Sequence, residues 1–396
     1  MSVAPAAALQ GLRVLDLSRV LAGPLAAQIL ADLGADVIKI ERPVRGDDTR
    51  EWAPPAMTPN PPRSLDESVY FWTCNRGKRS VTADIADALG QALVQRLARD
   101  ADVLIENYKV DTLERYGLGY DALGAINPRL IYCSITGFGQ TGPYRERPGY
   151  DTIVQSLGGL MSITGNPDGE PGGGPRKSGI AAADQMTALY STVAILAALN
   201  ERHASGLGQQ IDMSLLDVQV AALTNIGMGY LATGKVPQRL GNRLATVYPS
   251  DNFRCSDGQV MLIVGNDEQF RRFCQAMEVP GLSADVRFSS NPARLRNVEK
   301  LAPEIAAAMA RKSVAECQAL LDAVGVPVAP INDIAQVFSD PHVLARGMVR
   351  KVQRADGGTS RLIANPIRMS RSPVRDDRRP PQLGEHTLHA QGGWPD

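Results

Sequence analysis

Histidine is nearly missing from this chain of 396 residues: only His203, His342, His386 and His389 occur, and none precedes Arg202. A nucleophile activated by an imidazole would have to draw on those distal residues. His386 and His389 sit in a Pro- and Arg-rich tail without a third ligand nearby, so no metal site is expected. The five cysteines, Cys74, Cys133, Cys255, Cys274 and Cys317, are odd in number and show no C-x-x-C spacing. That argues against a disulfide framework and a zinc knuckle. A surplus of either charge is absent too, with 42 basic and 42 acidic residues. Nucleic-acid binders carry a basic footprint, so that class of partner is set aside. No apolar run approaches the roughly 20 residues that span a bilayer, so no membrane partner is expected. Met1 to Gln10 has neither a positive n-region nor a signal-like apolar core, and a cytoplasmic protein is the expectation.

What is present has the texture of a globular protein, 44% hydrophobic and 21% charged, and long enough for two domains. Up to about residue 135, short apolar runs alternate with helical patterns. Strands are expected over 12–17, 36–41, 80–84, 103–106 and 130–134, with helices over about 24–33 and from the third strand to about Arg99. Strands alternating with crossover helices imply a parallel sheet covered on both faces. Ligands of such sheets bind beyond the carboxyl ends of the strands, which singles out 18–24, 42–50, 107–109 and 136–142.

From about Gly206 the pattern changes. Residues 210–214 read as a strand, 215–232 as a helix and 234–250 as a linker punctuated by Pro and Gly. The run 252–264 alternates around Asp257-Gly258, expected to be a two-residue hairpin turn, and helices fill 268–277 and 303–323. The tail from Val326 resembles a wrapping segment more than a domain. The expected organisation is therefore a large α/β domain over 1–225, a small α+β domain with its linkers over 226–325, and a C-terminal segment over 326–396.

Gly137-Phe138-Gly139-Gln140-Thr141-Gly142 matches G-x-G-x-x-G after an expected strand. Pro143 follows at once and no helix opens at the third glycine, so a dinucleotide cofactor is not expected. Basic residues gather after the second strand (Arg42, Arg45, Arg50) and before the third (Arg76, Lys78, Arg79), with Arg115 beyond the fourth. They point either to a ligand with several phosphates held by guanidinium forks or to a solvated charged rim. Asp184 closes the run Lys177-Ser178-Gly179-Ile180-Ala181-Ala182-Ala183-Asp184, after a glycine-rich stretch, and opens a long helix. Met186, Leu189, Tyr190, Val193, Leu196 and Ala197 mark that helix's apolar face. A carboxylate in a first helical turn is held ionised by the dipole and by free N–H groups. It is then either a nucleophile or, more plainly, a helix cap.

A longer pattern decides between these readings. Gly11-Leu12-Arg13-Val14-Leu15-Asp16, Ala22-Gly23-Pro24, Leu33-Gly34-Ala35-Asp36-Val37-Ile38-Lys39-Ile40-Glu41, Gly46-Asp47 and Gly77-Lys78-Arg79-Ser80 come first. Asp102-Val103-Leu104-Ile105-Glu106-Asn107-Tyr108, Asn127-Pro128-Arg129-Leu130, Gly149-Tyr150-Asp151, Gly159-Leu160-Met161, Thr164-Gly165 and Leu383-Gly384-Glu385-His386-Thr387 follow in order. In this succession the chain resembles the family III CoA-transferases nearly end to end. The resemblance implies an open Rossmann-like large domain, a smaller α+β domain, a C-terminal segment returning to the large one, and two chains interlocked as a homodimer. Asp184 falls at the family's nucleophile. CoA would meet Leu21 and Ala22 on the first loop, Arg42 at the 3′-phosphate end, Asn107 and Tyr108 after the fourth strand, and Arg115 beyond. Tyr150 would line the cavity beside Asp184. CoA and acyl-CoA enter as substrates, with no permanently bound cofactor.

The activity implied is transfer of CoA from an acyl-CoA donor to a carboxylic acid through anhydride and aspartyl-CoA intermediates on Asp184. The racemases of the same superfamily look similar but carry histidine, in Gly-His-Asp, where this chain has Tyr150. A phenol with a pKa of roughly 10 is a poor partner for α-proton exchange near neutrality, so transfer is the expected reaction. The formyl/oxalate members have glutamine at the Leu21 position and a tetraglycine loop where this chain has Val264-Gly265-Asn266-Asp267. A longer dicarboxylate acceptor with succinyl-CoA as donor fits better. Arg239 or Arg243 is either a grip for the distal carboxylate or a solvated charge.

Overall fold

The computed structural model describes residues 5–52, 68–355 and 357–394. Six short strands form one parallel sheet: β1 (Arg13–Asp16), β2 (Asp36–Glu41), β3 (Arg79–Thr82), β4 (Val103–Glu106), β5 (Ile131–Thr136) and β6 (Gln210–Ser214), in the order β3-β2-β1-β4-β5-β6. Among the described residues up to Thr233 the helices are α1 (Ala22–Asp32), α2 (Val69–Asn75), α3 (Ala88–Asp100), α4 (Tyr120–Ile126), α5 (Asp151–Leu157), α6 (Leu160–Ile163), α7 (Ala182–Ser205), α8 (Leu215–Ala221) and α9 (Thr224–Thr233). The inner strands β1, β2, β4 and β5 are buried along nearly their whole length because both faces are covered, whereas the edge strand β6 is mostly not. Val14, Val37, Val103, Ile105, Ile131 and Cys133 meet Leu30 of α1 and Ile195 of α7 on one face. Their alternates Leu15, Ile38, Val81, Leu104 and Tyr132 meet Val94 and Leu97 of α3 on the other. Truncating a fully buried central residue such as Leu104 to Ala costs about 2–5 kcal/mol.

The chain divides into two compact units. The larger comprises 1–160, 177–234 and 341–396, and the smaller 161–176 and 235–340. The 161–176 stretch joins the smaller unit because Gly241 donates to the Gly165 carbonyl and Arg239 to those of Ser162 and Asn166. The helix expected over 215–232 is two, α8 and α9, bent by 75° at the break, where Thr224 has a positive φ of 44°. In the smaller unit β7 (Ser250–Arg254), β8 (Gln259–Ile263) and β9 (Val328–Pro330) form an antiparallel sheet around Phe253, Phe270, Phe273, Phe288 and Leu301. Cys255 N–H donates to the Gly258 carbonyl, which puts Ser256 and Asp257 at the hairpin's centre, one residue earlier than expected. Asp257 Oδ1 accepts the N–H of Val314 at 2.8 Å. All five cysteines are free and buried.

The tail returns to the larger unit from Pro341 onward, whereas 326–340 stay with the smaller. The Leu383–Thr387 motif is its fastener: Gly384 N–H reaches Ser80 Oγ, His386 N–H the Ser80 carbonyl, and Thr387 Oγ1 accepts from Thr82. His386 Nδ1 accepts the Ser80 N–H. Among the described helices α7 is, by length and composition, long and apolar enough to cross a bilayer, which the residue runs had not indicated. Its buried Arg202 nonetheless holds Asp102 and the Arg129 carbonyl, as a core helix does.

Candidate active site

β1 sits between β2 and β4, so the connections leaving it and β4 part in opposite directions and open a crevice at the switch point. The loop after β1 is held from beneath by buried charges. Lys39 Nζ donates to the Ser18 carbonyl at 2.7 Å and pairs with Asp47 at 2.9 Å, while Lys78 Nζ joins Asp16, Asn75 and the Pro24 carbonyl at 2.8 Å. Asp47 in turn accepts the N–H of Val20, whose φ of 71° is strained for a β-branched residue. The loop is thus fixed in an unfavourable conformation by a carboxylate that cannot leave its lysine. Asn107, just past β4, clamps the Arg19 backbone by both amide atoms at 2.7 Å.

Above this frame lies a cleft of about 270 Å³, wholly within the larger unit. It is lined by six of the residues expected from sequence: Leu21, Ala22, Asn107, Tyr108, Tyr150 and Asp184. Arg42 and Arg115 are not on its wall. Both are exposed: Arg42 pairs with Asp48, which lines the cleft, and Arg115 lies a step further out, bonded to the carbonyl of Asp111, the partner of cleft-lining Arg145. The cationic wall is instead Arg19, Lys109, Arg145 and Arg147. The Arg19 guanidinium lies 5.0 Å from the Tyr108 ring centre, and the Nε atoms of Arg19 and Arg145 have no protein partner among the described residues. Both guanidinium groups are held by carboxylates, Arg19 by Asp48 and Arg145 by Asp111. Arg19 was findable, since it directly follows the first strand. Arg145 and Arg147 follow the glycine loop dismissed as a cofactor motif. That loop serves the cleft by packing: a Cβ on Gly137 would come within 2.5 Å of the Gly149 backbone, so only glycine lets it bring Tyr150 into place.

Asp184 is the third residue of α7, whose preceding residue, Ala181, supplies no side-chain cap. The cap comes from outside. Asp151 Oδ1 accepts the N–H groups of Ala183 at 2.8 Å and Asp184 at 3.2 Å. No hydrogen bond from a described residue reaches the Asp184 carboxyl, which is therefore no helix cap. The expectation that the helix start would hold this carboxylate ionised is corrected: the N–H groups are already taken, and burial, then the Asp151 charge, push its pKa up to about 7. Tyr70 of α2 was also missed from sequence. Its phenol pKa is raised by burial and then by the charge of Asp184.

Arg239 is held by Asp168 and the Ser162 carbonyl, and Arg243 lies 3.7 Å from Glu170 and 3.8 Å from Glu299. Both have internal partners and are only partly exposed, so neither is the solvated charge of the plainer reading. Asn266, in the segment replacing a glycine loop, caps α10 (Asp267–Ala276) through Gln269 N–H.

A carboxyl without donors in an arginine-walled crevice suits an enzyme acting on a phosphorylated acyl carrier. The chain belongs to CoA-transferase family III, whose model matches residues 9–387. It is 47% identical over 378 residues to the succinate–glutarate CoA-transferase of Agrobacterium fabrum, covering 96% of this chain and 93% of that one. The succinyl-CoA:glutarate CoA-transferase of Mus musculus is 40% identical over 381 residues, 96% of this chain and 85% of that one. The crystal structure of a CaiB/BaiF family protein from Brucella suis matches with a TM-score of 0.87 and 46% identity, over 97% and 98% of the two chains. The protein is thus a CoA-transferase acting on acyl-CoA and carboxylic acid substrates.

Proposed function

We propose that this enzyme carries CoA from succinyl-CoA to a dicarboxylic acid of glutarate's class, with Asp184 as the nucleophile. The observation that carries the assignment is the Asp184 carboxyl, facing the cleft without a donor of its own. In its ionised form Asp184 attacks the thioester carbonyl and expels CoA thiolate, leaving a mixed anhydride. The thiolate attacks the aspartyl carbonyl and releases succinate, which leaves an aspartyl thioester. The acceptor carboxylate displaces the thiolate from Asp184, forming a second anhydride. Thiolate attack on its acceptor carbonyl then yields the new acyl-CoA and regenerates the carboxylate. Each step exchanges one acyl bond for another, so no ATP is needed.

CoA is placed with its phosphates against Arg19 and Arg145, and its nucleotide end toward Arg42 and Arg115. Leu21, Ala22 and Tyr108 line its path, and Asn107 fixes the loop beneath. The relatives' activities and the apolar Leu21 on the wall support a dicarboxylate with a methylene chain. A panel of dicarboxylic acids offered with succinyl-CoA tests this. Turnover is expected to favour five-carbon acids, and preference for oxalate or a monocarboxylate contradicts it.

We further propose that the working form is the interlocked homodimer. Leu189, Tyr190 and Val193 of α7, expected on its packing face, are about half to two-thirds exposed in the single chain, and the core is filled from its other side by Thr187, Ser191 and Ile195. Exposed Ile153 and Leu157 of α5 and Met228 and Leu231 of α9 add to the uncovered apolar area. A second copy is the occupant that the family resemblance supports.

A further inference from the structure

The start of α7 is built around a second acid that the reaction scheme does not use. Asp151 opens α5 and faces the N–H groups of Ala183 and Asp184 with Oδ1. Its other oxygen, Oδ2, accepts Gln155 Nε2 at 2.7 Å. Gln155 is fully buried and anchored in turn, its Oε1 taking the Ser178 N–H at 2.9 Å. Asp151 therefore cannot swing away, and the backbone donors that would otherwise quench Asp184 are occupied. We propose that the Asp151–Gln155 pair is a positioning device that fixes the main chain at Asp184 while keeping its carboxyl free of donors and next to a like charge.

The consequence concerns the covalent steps, so the proposal rests on reading Asp184 as the nucleophile. Two neighbouring carboxylates repel, and acylation of Asp184 converts one of them into a neutral anhydride or thioester. The covalent intermediates are thus relieved of a repulsion that the free enzyme bears. A carboxylate lacking hydrogen-bond donors is also the more basic and more reactive nucleophile. The other charged or titratable groups around Asp184 are Tyr150 ahead of α5, Tyr70 of α2, and, along the cleft, Arg19, Asp48, Tyr108, Lys109, Arg145 and Arg147. None of these hydrogen-bonds the α7 amino end, which leaves Asp151 as the group in place to set it.

The test is the pH profile of kcat/KM in Asp151→Asn, which keeps one acceptor oxygen for the α7 N–H groups, gives up the one that accepts Gln155 Nε2, and removes the charge. The acid limb is expected to move to lower pH by about one pH unit. At pH 8.5, where Asp184 is ionised in both proteins, kcat is expected to fall about tenfold with KM for the CoA ester within about twofold. Gln155→Ala, which loosens Asp151 without touching Asp184, is expected to shift both readouts in the same direction by less. It carries the test alone if Asp151→Asn fails to fold. A changed melting temperature with an unmoved acid limb and kcat would overturn the proposal, since a merely structural role predicts that. Hydroxylamine trapping on the same proteins separates two failures. No adduct at Asp184 in the wild type defeats the nucleophile reading, whereas an adduct with an unmoved limb defeats only the positioning role.

Discussion

Asp151 Oδ1 accepts the backbone N–H of Asp184 at 3.2 Å, so one carboxylate fixes the main chain that carries the other. The arrangement costs stability. The folded-state pKa of Asp184 is raised from 3.8 to about 7, so between those values the native protein binds more protons than the unfolded chain. Its contribution to stability is therefore present at low pH and lost as pH rises toward 7. Asp184→Asn is expected to abolish transfer yet raise the melting temperature at pH 8 by about 2–4 °C, with the gain vanishing near pH 4. Scanning calorimetry at the two pH values checks this, and a variant less stable than wild type at pH 8 would contradict it.

Tyr150 supplies a test between transfer and racemisation. In deuterated water with a 2-methylacyl-CoA, the wild type is expected not to exchange the α-proton at a catalytic rate. A phenol has a pKa too far from neutrality to serve as the second proton-transfer group. Tyr150→His is expected to gain slow exchange, read by mass spectrometry. Rapid exchange by the wild type would place the enzyme with the isomerases.

Much of the larger unit was legible because its inner strands are buried on both faces, as at Asp36–Glu41 and Val103–Glu106, while the edge strand Gln210–Ser214 showed itself by alternation; all three fall where the pattern put them. The side of α7 that packs was misread, because the helix is apolar all round and its core side is made of small and hydroxyl residues such as Ala188 and Ser191. Six cleft residues were foreseen because they follow strand ends or match the family's segments. Asp151 and Tyr70 were not, since nothing in the spacing of 70, 151 and 184 reveals that three separate helices bring these residues together.

CoA recognition is expected to divide between wall and rim. Arg19→Ala and Arg145→Ala should raise KM for the CoA ester roughly tenfold to hundredfold, the weight of a charge-assisted phosphate contact. Arg42→Ala and Arg115→Ala should raise it as well, while sparing the acceptor's affinity. Dephospho-CoA esters should largely erase the Arg42 effect. Steady-state kinetics with both esters read this out, and unchanged KM values in all four variants would leave the cationic wall without a ligand.

The exposed side of α7 gives a test of assembly. Val193→Glu places a charge at the carboxyl end of the Leu189–Val193 stripe. If a second copy covers that stripe, the variant is expected to sediment as a monomer or to aggregate, while the wild type sediments as a dimer. A wild type that sediments as a monomer at micromolar concentration would remove the dimer from the proposal.

The most direct measurement traps the enzyme in mid-reaction. Wild-type protein incubated with succinyl-CoA and then hydroxylamine should lose activity and carry a hydroxamate on the peptide containing Asp184, located by tandem mass spectrometry. Protein never exposed to the CoA ester should carry none. A modified Asp184 that appears only with the acyl donor is the expected result. Full turnover with no label at Asp184, or a label on another residue, would contradict the assignment of Asp184 as the group that holds the acyl chain.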